Sequence, residues 1–112
     1  MIDVRKKIYN KLIGLRNVPE LKDIQIYFWV VPKSVGDLDR FIVYYTASDD
    51  AVEADDKTYI RRHNWTVVYY SKDFGEDIAD DLEELTGQVV SLTQSYVDQT
   101  ANMMVHSYSL TL

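Results

Sequence analysis

The side chains that could bind a metal ion or move a proton are few and scattered. The chain has two histidines, His63 and His106, and no cysteine, which excludes disulfides, thiolate metal sites and cysteine nucleophiles. A zinc site needs several converging ligands, and the two histidines fall on different predicted strands. We therefore interpret His106 as a packed strand residue, and His63 as a polar residue beside Arg61 and Arg62.

Acidic residues are the other candidates for chemistry. The segment at residues 48–56 contains Asp49, Asp50, Glu53, Asp55 and Asp56. It lacks the ligand order and the closing glutamate of a calcium-binding loop. Adjacent carboxylates, such as Asp80 and Asp81, point to different sides of a helix or strand, whereas a general acid–base pair must converge in a cleft. We expect a solvated, mobile loop at residues 48–57 that could dock onto a partner.

Sequence motifs give no further chemistry. The chain contains neither the G-x-S-x-G turn of a hydrolase nor a glycine-rich phosphate-binding loop. Two of its four glycines, Gly14 and Gly87, are placed to end helices. We therefore predict no catalytic residue, no metal and no cofactor, and a protein that is not an enzyme.

Composition indicates one folded domain over residues 1–112. With 46% hydrophobic and 27% charged residues, the 112-residue chain is ordinary globular material. No apolar run is long enough to span a membrane, and the first residues do not suggest a signal peptide. The simplest location is the cytoplasm of the producing cell, or a particle assembled there.

Charge is distributed unevenly. Residues 1–45 carry eight Lys or Arg against five Asp or Glu, and residues 46–112 carry four against thirteen. The net charge of −6 argues against tight, phosphate-led binding of nucleic acid. Two unlike halves could meet head to tail between copies, although one acidic helix and one acidic loop would also explain the asymmetry.

Hydrophobic periodicity predicts two helices and five strands. Helices are predicted at residues 2–13 and 74–86, and strands at 24–31, 41–47, 58–70, 89–96 and 102–112. Asp73 and Glu76 have the spacing of a capping box for the second helix. The fold class is therefore α+β, in the order α-β-β-β-α-β-β, with a mainly antiparallel five-stranded sheet and helices on one face.

Aromatic residues are abundant on both faces of the predicted strands. The chain has nine Tyr, two Trp and three Phe. A sheet with helices on one face has one internal core, so aromatic residues on its other face favour contact with a second chain. The alternative is that the helices cover opposite faces. The candidate interface residues are Tyr27, Trp29, Tyr44, Arg61, Arg62, His63 and Trp65.

The order of elements resembles the small tail-terminator (tail-completion) proteins of long-tailed bacteriophages. The resemblance is closest over residues 67–85, where a strand, a charged turn and a helix follow one another, and over residues 96–108, which are similar to the family's closing hairpin. It implies a structural protein that caps the head-proximal end of the tail tube as a ring, usually a hexamer.

The resemblance also implies where the protein acts and what it contacts. Its partners would be sister copies, the tail tube protein and the head-completion or connector protein, within the neck of the virion. DNA would pass through the lumen without sequence-specific binding, and no membrane is involved. The alternatives are another phage neck, head-completion or minor tail protein, a generic α+β interaction module, and a small-ligand binder with a pocket between sheet and helices.

Overall fold

The described chain forms two helices packed on one five-stranded sheet. The computed structural model describes residues 4–29, 38–53 and 59–111. Its elements are α1 (Val4–Ile13), β1 (Gln25–Phe28), β2 (Arg40–Glu53), β3 (Tyr59–Ser71), α2 (Ala79–Thr86), β4 (Ser91–Asp98) and β5 (Met103–Thr111). The α+β class is confirmed. The predicted element order omitted two 3-10 turns, Gly14–Asn17 and Pro19–Leu21, which connect α1 to β1.

The sheet is mixed rather than wholly antiparallel. Its strand order is β1-β2-β3-β5-β4. β1 runs parallel to β2, with Tyr27 opposite Val43, and the remaining three pairs are antiparallel. A parallel pair requires a connection that returns the chain to the end of the sheet where it started. Periodicity does not distinguish such a connection from a long hairpin loop, so the sequence did not predict the parallel pair.

The hairpin of β2 and β3 is longer than the sequence predicted. β2 continues to Glu53, which pairs with Tyr59, and a register shift lies between Thr46 and Ser48. Asp49, Asp50 and Glu53 therefore lie in a strand, and their prediction as part of a docking loop is wrong.

The extended hairpin brings the acidic segment of β2 opposite the basic segment of β3. Its register places Asp50 opposite Arg62 and Asp49 opposite His63. The other two residues of the predicted loop, Asp55 and Asp56, lie outside the described residues.

α2 begins five residues later than predicted, and the predicted capping box does not form. Ile78 precedes the helix without a side-chain cap, and Asp73 instead accepts a hydrogen bond from the Gly75 N–H at 3.1 Å. The end of the helix is as expected. Gly87 adopts a left-handed conformation with φ 69°, and its N–H donates to the Glu83 carbonyl at 2.8 Å.

Both helices pack against the same face of the sheet. Leu12 of α1 and Leu82 of α2 belong to one buried cluster that also contains Trp65, Tyr69 and Tyr108 from the strands. The alternative in which the helices cover opposite faces is therefore wrong. Burial of these apolar side chains supplies most of the stability of the fold.

Gly14 allows the two helices to approach one another closely. As predicted, it directly follows the last residue of α1, Ile13, although Gly87 is the one described glycine with positive φ. A β-carbon at Gly14 would lie 2.7 Å from Leu85 Cδ2, so a larger residue would require the Leu85 side chain to move.

Candidate interaction surface

Alternate residues of the five strands form the side of the sheet opposite the helices. Its members whose side chains the structure describes, here called the helix-free face, are Gln25, Tyr27, Phe41, Val43, Tyr45, Asn64, Thr66, Val68, Tyr70, Ser91, Gln94, Tyr96, Asp98, Met103, Val105, Ser107, Ser109 and Thr111. Asp98 is the single charged residue among these members. The register of β2 and β3 continues the same side of the sheet through the pair of Asp50 and Arg62. The cores of protein interfaces are likewise depleted of charge and enriched in Tyr and Trp.

A row of aromatic rings crosses the helix-free face from β1 to β4. Tyr27 meets the edge of Phe41 with ring centroids 6.2 Å apart, and Phe41 stacks on Tyr70 at 4.3 Å. Tyr70 in turn interacts with Tyr96 on β4. Phe41 is fully buried, whereas Tyr27 and Tyr70 are half-buried and Tyr96 is 42% exposed. The row thus combines a rigid buried centre with phenol rings that remain partly open to solvent.

The position of Tyr70 in this row raises the pKa of its phenol. Burial and the neighbouring Tyr96, with further contributions from Asp98 and Tyr45, raise the pKa of Tyr70 to about 12. The ring therefore stays neutral at physiological pH. A neutral hydroxyl can both donate and accept a hydrogen bond, which suits a contact with another protein surface.

Trp29 is the most exposed aromatic residue that the structure describes. It follows β1, is 59% exposed, and packs against the rings of Phe28 and Tyr45 at 5.8 Å and 5.4 Å. Its φ of 69° lies in the left-handed region, which bulky residues rarely adopt. The Trp29 N–H donates to the Tyr44 carbonyl at 3.0 Å, which helps to hold this conformation. Backbone strain of this kind is concentrated at functional sites.

The candidate interface residues from the sequence fall into three groups. Tyr27 and Trp29 lie at the surface of the helix-free face and beside it. Tyr44 and Trp65 are 4% and 1% exposed and pack under the helices, so their prediction as interface residues is corrected. Successive side chains of a strand point to opposite sides of the sheet, and in β2 and β3 the side that carries Tyr44 and Trp65 is the one that the helices cover.

The third group is the basic segment of β3. Arg61, Arg62 and His63 lie in the paired hairpin, but their side chains lie outside what the structure describes. The sequence analysis also missed Tyr45, Tyr70 and Tyr96, although each follows the two-residue period of its strand. Identifying them requires knowing which alternate residues of each strand face the helices, and only the tertiary structure shows this.

A polar cluster fixes the turn that leads from β3 to α2. The Arg40 guanidinium donates to both Glu76 carboxylate oxygens at 2.6 Å and 2.8 Å, and the Tyr69 and Ser71 hydroxyls donate to Oε1 at 2.9 Å and 2.6 Å. The hydrogen bonds from Arg40, followed by those from Ser71 and Tyr69, lower the pKa of Glu76, although burial opposes them. Glu76 is therefore a structural anchor for the acidic helix.

A second anchor lies one residue further along. The Tyr108 hydroxyl donates to Asp77 Oδ1 at 2.7 Å and accepts from the Ile78 N–H at 3.1 Å. Burial alone would raise the pKa of Asp77, but the Ala79 N–H and Tyr108 outweigh it, so that the pKa is lowered. Asp77 therefore holds the start of α2 against β5, whereas Glu76 holds the preceding turn against β2 and β3.

His106 contacts residues on both β4 and β5. Its Nδ1 lies 2.7 Å from Ser95 Oγ across the β4–β5 pair, and its ring centroid lies 6.2 Å from that of Tyr108. Within the described ranges, no three His, Cys, Asp or Glu side chains are grouped as metal ligands, and no helix is long and apolar enough to cross a membrane.

Comparison with known proteins gives no assignment. No protein-family model matches the chain, and no curated protein sequence matches it significantly.

Proposed function

We propose that the protein is a structural assembly protein that caps the head-proximal end of a phage tail tube as an oligomeric ring. In this role it would stop further addition of tube subunits and present a surface for attachment of the head. The proposal rests on the resemblance of its sequence to tail terminators and on one observation in particular, which is the row of aromatic rings on the helix-free face.

The helix-free face supports a protein partner rather than a solvated exterior. A sheet face that normally faces water alternates with polar and charged residues. Here Tyr27, Tyr45, Tyr70 and Tyr96 occupy it, with Trp29 beside it. Tyr and Trp contribute large contact areas and lose little conformational entropy on binding, since each has two side-chain torsions. Phe41, Val43 and Met103 of the same face already form a second buried cluster within the subunit. Contact with another subunit would therefore cover the parts of the surrounding rings that remain exposed, chiefly at Tyr96 and Trp29.

The chemistry of the described side chains is consistent with structural work. Glu76 and Asp77 are held in hydrogen-bonded clusters that position α2. The acidic surface of α2 also disfavours adhesion to DNA phosphates, which a protein surrounding a DNA channel must avoid. We accordingly place the protein in the neck of a virion, between the tail tube protein and the head connector.

The experiment that tests the proposal is capping of tail tubes in vitro. Purified tube protein is polymerised with and without this chain, and tube lengths and ends are measured by negative-stain electron microscopy. We expect shorter tubes that carry a ring at one end, together with a ring in solution or on the tube. The control adds an equal amount of an unrelated acidic protein of similar size.

Two results would refute the proposal. One is that tube length and tube ends are the same with and without the chain at high concentration. The other is a strictly monomeric chain that never associates with tubes in co-sedimentation. Binding along the whole tube, rather than at its end, would favour a minor tail protein in place of a terminator.

A further inference from the structure

We infer that the ring closes by contact between two opposite flanks of the subunit, so that β4 of one copy pairs with β1 of the next. The acidic flank is α2 with β4, residues 79–98, and the basic flank is α1 with β1, residues 4–29. This inference rests on the proposed function, because it names the partner surface for sister copies within the ring.

The two flanks lie at opposite edges of the sheet. β1 and β4 are the outer strands of the described sheet. α1 lies on the β1 side, where Tyr9 packs against Tyr44 with ring centroids 6.5 Å apart. α2 begins over β5, the neighbour of β4, where the Tyr108 hydroxyl donates to Asp77 Oδ1 at 2.7 Å, and the chain continues from α2 into β4. Each flank therefore carries one helix and one edge strand.

β4 has little of the protection that edge strands usually carry. Natural proteins block an edge of this length with charge, proline, a bulge or a covering segment. In β4 the protection is limited to a register shift between Leu92 and Gln94 and to Asp98 at its end, and the strand contains no Lys, Arg or Pro. Seven of its eight residues are exposed, among them Leu92 at 48% and Val97 at 43%. The stretch from Gln94 to Val97 is therefore suited to pairing with a strand of a partner.

Strand direction permits the contact that the inference requires. β1 and β2 run parallel, and each step from β2 through β3 and β5 to β4 reverses direction. β4 therefore runs opposite to β1. Copies related by rotation about a ring axis would bring β4 and β1 together as an antiparallel pair, in which two different surfaces meet and a ring can close.

Charge gives the contact its direction and identifies a second copy as the partner. Residues 79–98 contain five Asp or Glu and no Lys or Arg, whereas residues 4–29 contain six Lys or Arg and two Asp or Glu. Lys6, Lys7 and Lys11 are exposed on α1, as are Asp80 and Glu84 on α2. Contact between two acidic flanks or two basic flanks would be repulsive, which disfavours a two-fold dimer through either edge.

Charge reversal tests the contact with complementary variants. One variant carries Lys6→Glu, Lys7→Glu and Lys11→Glu, so that both flanks are acidic. The other carries Asp80→Lys, Asp81→Lys and Glu84→Lys, which leaves two acids against three bases in residues 79–98, so that both flanks are basic. Each alone should assemble about tenfold more weakly or worse, since several rim pairs become repulsive. An equimolar mixture should form rings in which the two variants alternate. Lys72→Glu, outside both flanks, is the control, and it loses only an exposed ion pair with Asp39 at 3.7 Å.

A charge introduced into β4 tests separately whether this strand pairs with β1 of the next copy. Val97→Lys introduces a charge into β4, and Phe74→Lys introduces the same charge at a site of similar exposure outside both flanks, 46% against 43%. We expect Val97→Lys to weaken ring formation at least about tenfold and Phe74→Lys to leave it unchanged. Circular dichroism and thermal unfolding establish that each variant is folded.

The outcomes separate this inference from the proposed function. The inference is overturned if wild-type rings cap tubes while the charge-reversed variants assemble normally, or if mixing the two variants restores nothing; in either case the capping function stands. If the wild-type chain forms no ring even with tube protein, the proposed function fails and the inference fails with it. Restoration on mixing together with loss in Val97→Lys supports the inference.

Discussion

Replacement of Trp29 separates the stability of the subunit from its assembly. A Trp side chain has roughly 250 Å² of surface, and Trp29 is 59% exposed. Roughly 150 Å² therefore remains for a partner to cover, which corresponds to ~3–4 kcal/mol at ~25 cal/mol per Å². If the partner covers about half of that area, Trp29→Ala should weaken each contact by ~2 kcal/mol, or roughly thirtyfold.

The same substitution should have a limited effect on the unfolding free energy of the isolated subunit. The remaining roughly 100 Å² of Trp29 packs on Phe28 and Tyr45, which sets an upper bound of ~2.5 kcal/mol for the loss of unfolding free energy. Trp29→Gly provides the matched control, because Gly adopts φ 69° without the steric cost that Ala retains. We expect the Gly variant to be as stable as the Ala variant, or up to ~1 kcal/mol more stable, and equally poor in assembly.

Two measurements check these values. Urea unfolding of the isolated subunit gives the loss of stability, and sedimentation velocity over a concentration series, with tube protein where it is needed, gives the loss of assembly. Normal assembly of both variants would refute the assignment of Trp29 to an interface. Loss of folding in both variants would instead show that the side chain belongs to the core.

Two further substitutions test the anchors of α2. Glu76→Gln removes the charge that Arg40 pairs with and should lower the unfolding free energy at neutral pH by ~2–3 kcal/mol, as measured by urea unfolding. Because the pKa of Glu76 is lowered in the folded state, its contribution is present above about pH 5 and disappears as the pH falls below its ordinary value of ~4.3. The difference between wild type and Glu76→Gln should therefore shrink on acidification, and a constant difference would contradict the assignment. Gly87→Ala should cost ~1 kcal/mol from its left-handed φ alone, because a β-carbon there meets no atom within 4 Å, and thermal unfolding that is unchanged would disprove this.

Local patterns predicted the elements whose causes are local. The two-residue period predicted the strands, and a glycine after an apolar stripe located the end of α2 at Gly87. Both signals depend on neighbours in the sequence, since a strand alternates its faces and a left-handed helix end favours glycine.

The errors arise where a distant residue competes for the same group. Asp73 and Glu76 have the spacing of a capping box, but Glu76 binds Arg40, which lies 36 residues earlier in the chain. A charged pair with two further hydroxyl donors outweighs one backbone N–H, so the turn is extended and α2 begins at Ala79. The sequence contains both partners but does not show that the fold brings them together.

The same limit applies to the interface residues. Tyr44 and Tyr45 are adjacent and chemically identical, yet Tyr44 is buried under the helices whereas Tyr45 lies on the helix-free face. The sequence indicated that aromatic residues lie on both faces of the predicted strands. The side of the sheet on which each residue lies depends on which phase of β2 meets α1 and α2, and this phase is set by packing across all five strands.

The placement of both helices on one face therefore links the fold to the proposed assembly. Although both helices lie on the other side, Phe41, Val43 and Met103 of the helix-free face are buried, and Tyr27 and Tyr70 pack against them. The rings at the margin of this face, Tyr96 and Trp29, remain exposed, and the helices add charge of opposite sign at the two edges of the sheet. A subunit with an apolar face and two unlike flanks can contact different neighbours with each surface, as a ring that also binds the end of a tube must do.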